Sequence, residues 1–150
     1  MDGDDIAVSA YHELCGYALT RGDATFIHQH VVDAFAAQSA TPATKPIAIA
    51  FALVGLYLHL EKGFNGREVQ RAHMKMAREK HAWPLIALPA ERGSMTAADV
   101  IRAPAGAARD AAIDDWCQSV WTCYCAKSRD TIAALLERHR ILKDRPGLSG

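Results

Sequence analysis

The sequence predicts an all-α fold, a single-domain helical bundle of about five or six helices with an irregular, proline-containing cover segment. Apolar residues recur at helical spacing along most of the chain, and no stretch alternates as a half-buried strand does. Helix starts and stops separate the periodic stretches.

The first helix is expected from Val8 to Leu19, its apolar stripe formed by Val8, Tyr11, Cys15, Ala18 and Leu19, with Ser9 near the start as cap. Arg21-Gly22-Asp23 breaks it, and Asp23 is placed to cap a second helix that runs to about Gln38. Pro46 suits the first turn of a third helix, where its missing N–H has no partner to lose. That helix is apolar nearly all round, which places it in the centre, and Gly63 ends it. Asn65 and Glu68 read as a capping box flanked by Phe64 and Val69, so a fourth helix starts near Gly66 and ends near Lys80. Trp83 to Gly93, with Pro84 and Pro89, is the cover segment. Thr96 and Asp99 form a second capping box before a short helix that stops at Pro104. Ala107 to Tyr124 is helical, and Ser128 to Leu142 continues or restarts it. Residues 1–7 and 143–150 are expected to fray.

At 150 residues the chain has the size of one domain. Lys+Arg and Asp+Glu both number 17, so no global field draws in nucleic acid or an anionic membrane. The apolar run Pro46 to Leu58 falls short of the roughly 20 residues that span a bilayer. The acidic start, Met1-Asp2-Gly3-Asp4-Asp5, lacks the pattern of a secretory signal, and the expected location is cytoplasmic. Three of the four cysteines, Cys117, Cys123 and Cys125, crowd one helix, far from Cys15, which suits reduced thiols.

The histidines carry the functional expectation. On the second helix His28, Val31, Val32 and Phe35 stand at i, i+3, i+4 and i+7, which turns His28 inward; His30, roughly 200° around the wheel, falls beside Gln29 and Asp33 on the polar side. On the third helix His59 ends a stripe of small residues, Ala48, Ala52 and Gly55, that admits a close neighbour or leaves room for a pocket. On the fourth, Val69, Ala72, His73 and Met76 turn His73 inward, and His12 flanks the stripe of the first helix. Bundles assemble metal sites from facing helices in this way. The expected site is a divalent transition metal (zinc, iron or manganese) on His28, His59 and His73, with His12 as a fourth ligand or general base. A metal-bound water would then serve a hydrolase or lyase acting on a small-molecule substrate. The alternative is a non-catalytic small-ligand or protein-interaction module whose histidines are packed, the commoner fate of a lone histidine on an apolar face.

Other constellations are weaker. Cys117, Cys123 and Cys125 point apart on one helix, and Cys15 beside His12 is more often packing than a nucleophile. Arg67, Arg71, Lys75 and Arg78 make a basic stripe, with His81 near its end, but no aromatic platform is interleaved for stacking bases. Asp114 and Asp115 are adjacent and diverge, which does not make a carboxylate pair. No phosphate loop, dinucleotide fingerprint or GxSxG elbow occurs.

The ordered blocks HQHVVDAFAAQ (His28 to Gln38), LYLHLEKG around His59, Thr96 to Val100, and WCQSVW (Trp116 to Trp121) resemble a bacterial domain-of-unknown-function family of short helical proteins. The resemblance implies a soluble helical domain, places His28 and His59 within the family's blocks, and brings no activity with it. A weaker likeness links the chain to the DinB and YfiT type of metal-binding bundle, which also gathers three histidines from different helices. Their paired HxxxH helix is missing here, since His73 has no histidine four residues away.

Overall fold

In a computed structural model of the chain, which describes residues 3–22, 25–79 and 82–142, six helices fold into one bundle. They are α1 (Gly3–Thr20), α2 (His28–Gln38), α3 (Pro46–Lys62), α4 (Gly66–Arg78), α5 (Ala97–Arg102) and α6 (Ala107–Arg138). No strand occurs among the described residues. No helix among them is long and apolar enough to cross a membrane.

Helix α3 is the axis of the bundle, as its all-round apolarity requires. Nine consecutive positions from Ala50 to Leu58 include seven residues at the centre of the core, and α2, α4 and α6 pack around them. Pro46 sits in its first turn, and Gly63 closes it in the left-handed conformation (φ 70°), where glycine carries no Cβ penalty. The α4 capping box forms as the sequence predicts. Asn65 Oδ1 accepts from the Glu68 N–H (2.9 Å), and Glu68 Oε1 accepts from the Asn65 N–H (3.0 Å). At α5 the Asp99 carboxylate accepts from the Thr96 N–H (2.9 Å).

Helix α6 runs unbroken through Ser128 to Arg138, and its buried stripe of Ile113, Trp116, Cys117, Val120, Tyr124, Ile132 and Leu136 seals the other side of α3. The cover segment crosses α6 and α2. Gln38 Nε2 donates to the Arg92 and Met95 carbonyls (3.1 and 2.6 Å), while Gln38 Oε1 accepts from Trp116 Nε1 (3.0 Å).

Two expected helix phases are corrected. Helix α1 begins at Gly3, so residues 3–7 belong to it, and its buried face is Ala10, Leu14 and Ala18; Val8 and Leu19 are exposed. On α2 the buried face is His30, Val31, Asp33, Ala34 and Ala37, whereas His28, Val32 and Phe35 are only half-buried. The cause is close packing. A face of alanines lets α2 approach α3, while the bulkier Phe35 fills the edge and stacks on Tyr11 with ring centroids 3.8 Å apart. The expected cap Asp23, the expected α4 end at Lys80, His81 and the expected fraying of residues 143–150 lie outside the described residues.

Candidate functional site

The site lies where the start of α2, the end of α3 and the first turns of α6 meet. Its floor is set by a close approach of two helices. An added Cβ on Gly55 of α3 would lie 1.8 Å from Asp33 Oδ2 and 2.5 Å from Asp33 Cγ, so the Asp33 carboxyl occupies the space a side chain would need. The stripe of small residues before His59 thus admits a polar group from α2. Asp33 is buried, accepts from Gln29 Nε2 at Oδ1 (3.0 Å), and has no partner for Oδ2 among the described residues. Burial raises its pKa well above the usual carboxylate range, against a smaller lowering by the Gln29 hydrogen bond.

One helical turn along, His30 of α2 and His59 of α3 stack face to face, with centroids 3.5 Å apart and planes inclined by 16°. His59 Nε2 lies 2.7 Å from Asp114 Oδ1 on α6, and His59 Nδ1 lies 3.2 Å from the Phe64 carbonyl. Each ring nitrogen faces an acceptor, so the ring donates twice when both carry protons. The hydrogen bond from His59 holds the Asp114 carboxyl below its ordinary pKa, against a smaller opposing effect of burial. Cys117 Sγ, one turn beyond Asp114, donates to the His30 carbonyl (3.6 Å) and joins α6 to the same layer; burial pushes its thiol pKa well up and leaves it a poor nucleophile.

The third wall is the segment before α2. Phe26 adopts φ 60°, an uncommon conformation for a residue with a Cβ, and its carbonyl packs where a Cβ on Gly66 would come within 1.8 Å. The Thr25 carbonyl accepts from the Arg67 N–H (3.0 Å), and the Arg67 guanidinium covers the Phe26 ring at 4.5 Å. These contacts hold Thr25 and Ile27 across from Gly63, Phe64 and Asn65. Together with His30, His59 and Asp114 they enclose an open cavity of about 290 Å³. A second cavity of about 490 Å³ between the cover segment and α6 has no histidine in its lining.

Of the residues singled out from the sequence, only His59 stands in this cavity. His28 is half-buried, with Nδ1 buried and the ring edge-on to Phe26 (centroids 5.6 Å), and it does not line the cavity. His73 donates from Nε2 to the Phe51 carbonyl (2.7 Å) and stacks on Phe51, and burial lowers its pKa. His12 is exposed beside Tyr11, because the true phase of α1 turns it to solvent. Among the described residues no group of three or more His, Cys, Asp or Glu side chains is arranged to hold a metal, so His28, His59 and His73 do not come together. Cys15 is half-buried, with its thiol pKa raised by burial, and all four cysteines are free.

Sequence reasoning missed His30, Asp33 and Asp114. The signal for the first two was His30, Ala34 and Ala37 at i, i+4 and i+7, a stripe of small residues. For Asp114 it was the three-residue offset from buried Cys117.

Residues 8–125 match a family model, DUF5946, a family of unknown function. The chain belongs to DUF5946. All three cavity residues His30, His59 and Asp114 fall within the family region of this DUF5946 chain, whereas buried His139 falls beyond it. Neither a curated protein nor a solved structure matches the chain.

The raised pKa of Asp33 has a measurable consequence. A carboxyl whose folded pKa lies above its unfolded value, here 3.8, contributes stability that is complete below that value and is lost as pH rises toward the folded pKa. Asp33→Asn keeps the shape and the acceptor for Gln29 but does not titrate. Relative to the native chain, the variant should therefore gain stability as pH rises above about 4 and toward the folded pKa, by up to ~1.4 kcal/mol per pH unit. Urea denaturation of both proteins across that range checks this; a constant difference would show that Asp33 does not titrate on unfolding.

Proposed function

We propose that this chain is a small-ligand-binding protein whose ligand enters the cavity at His30, His59 and Asp114. The observation that carries the reading is the stacked histidine pair tied to a carboxylate at the mouth of a cavity of about 290 Å³. That volume is near the lower bound for small-molecule pockets. The cavity combines the apolar Ile27 and Phe64 with the polar Thr25, Asn65 and the His59–Asp114 pair, the mixture by which pockets hold and orient small polar molecules. His59 and Asp114 can exchange a proton with a bound molecule, and the buried Cys117 thiol supplies no nucleophile.

A second, metal-binding reading takes the donor types in the same cavity, two imidazoles and a carboxylate from three helices, and needs them to rearrange, because as they stand no three are arranged to hold a metal. It requires His59 to exchange its Asp114 hydrogen bond for the metal. It differs from the set His28, His59 and His73 expected from helical spacing, and substitutions separate the two.

The experiment is a nuclear magnetic resonance screen of small polar fragments against histidine-labelled protein, with metal analysis of untagged protein grown with zinc, iron and manganese. Fragments should shift the His30 and His59 ring signals, and His30→Ala or His59→Gln should abolish binding while His12→Ala leaves it intact. No shift with any fragment would overturn the ligand reading. Stoichiometric metal lost in His30→Ala and His59→Gln but kept in His28→Ala and His73→Ala would establish a metal in this cavity. Loss in His28→Ala and His73→Ala as well would restore the spacing-based set.

A further inference from the structure

Resting on the pocket reading above, we infer that the ligand class is a small carboxylate, and that Asp114 occupies the place of its anionic group in the free protein. Three features point to it. His59, whose side chain is 18 % exposed, donates to a carboxylate that the protein itself provides from an exposed position: the Asp114 side chain is 56 % exposed. A histidine–carboxylate contact so open to water is worth little and exchanges readily for an equivalent carboxylate from solution. Asp114 thereby marks an anion position without being locked into it.

The surroundings favour the same charge. Helix α2, eleven residues long, starts at Ile27, which lines this cavity, so the positive end of its dipole lies beside the pocket, although the Gln29 and His30 N–H groups already donate to the Phe26 and Ile27 carbonyls (3.1 and 3.0 Å). The start of α4 adds no free donor there, because Asn65 and Glu68 close it with their capping box. Asp33, the buried carboxyl beneath the histidine pair, does not line the cavity, and burial disfavours its charged form. Ile27 and Phe64 line the cavity for a short apolar chain attached to the carboxylate.

The test uses three probes of one carbon skeleton, propionate, propylamine and propionamide, titrated separately while the His30 and His59 ring signals are followed. Asp114→Ala removes the internal competitor, so propionate should bind this variant about fivefold more tightly than the native chain. Asp115→Ala removes the same charge from the neighbouring residue and should leave propionate affinity unchanged. His59→Gln should abolish the response. Equal tightening in Asp115→Ala would reduce the effect to general electrostatics and overturn the inference. Response to propylamine or propionamide but not to propionate would overturn the carboxylate class and leave the pocket reading standing. Silence with all three probes in the native chain and in Asp114→Ala, with both proteins melting cooperatively, would overturn both.

Discussion

Gly55→Ala should destabilise the protein by about 3 kcal/mol, at the upper end of what overpacking a core costs. The new Cβ would lie 1.8 Å from Asp33 Oδ2, and α3 is buried on all sides at that level, so it cannot turn the methyl toward solvent. Asp33 must leave its place or α2 must back away from α3. Either movement unstacks His30 from His59, because His30 is one turn from Asp33 and His59 one turn from Gly55. The clash is specific to one pair, which gives the prediction its check. Asp33→Ala alone should cost less, and in the background of Asp33→Ala the Gly55→Ala substitution should cost about 1 kcal/mol or less, a coupling expected of residues in direct contact. Urea denaturation of the two single variants and the double variant measures it. Additive losses would show that the helices have slack at this level.

The same contact explains how much was legible in the sequence. Helix α3 was read correctly in full because its signals are one-dimensional: an apolar run, a proline at its start and a glycine at its end. The boxes at Asn65 and Thr96 were equally local, since each needs only residues three apart. Helices α1 and α2 were located but rotated wrongly. A periodicity argument weights large apolar side chains, and it assigned Val32 and Phe35 to the interior of α2. Val31 is interior as expected, but the rest of the interior of that helix is built of His30, Asp33, Ala34 and Ala37, and Asp33 fits only against a glycine at Gly55. That complementarity belongs to the pair of helices, and neither sequence segment reveals it alone.

The error in phase carried over to the site. Of the histidines on α2, the one on the apparent apolar face, His28, turned out to be peripheral, and the one on the apparent polar face, His30, to be buried. Asp114 was set aside because it was compared with its neighbour Asp115, whereas its partner is His59, 55 residues away. His59 lines the cavity, and the small residues preceding it on α3 mark the close approach of a neighbour whichever direction it comes from.

Trp116→Ala should remove about 4 kcal/mol of stability, a large part of the 5–15 kcal/mol typical of a domain. Trp116 is fully buried and is one of the largest side chains in the core, so truncation leaves a cavity that a long, straight helix is poorly able to collapse around. The loss extends beyond volume. Trp116 Nε1 donates to Gln38 Oε1, and the Gln38 amide in turn donates to the carbonyls of Arg92 and Met95, so one indole orients the amide that fastens the cover segment. Without it Gln38 keeps its two donor bonds but loses the acceptor that fixes the plane of its amide, at a further ~1 kcal/mol. Backbone amides around Met95 should then exchange with solvent faster than the global loss of stability accounts for, while those of α3 follow the global loss. Trp116→Phe should restore much of the stability by filling most of the volume, yet leave the rapid exchange near Met95 in place, because phenylalanine offers no N–H. If Trp116→Phe also restored slow exchange at the cover, packing alone would be what holds that segment, and the hydrogen-bonded bridge through Gln38 would have no part in it.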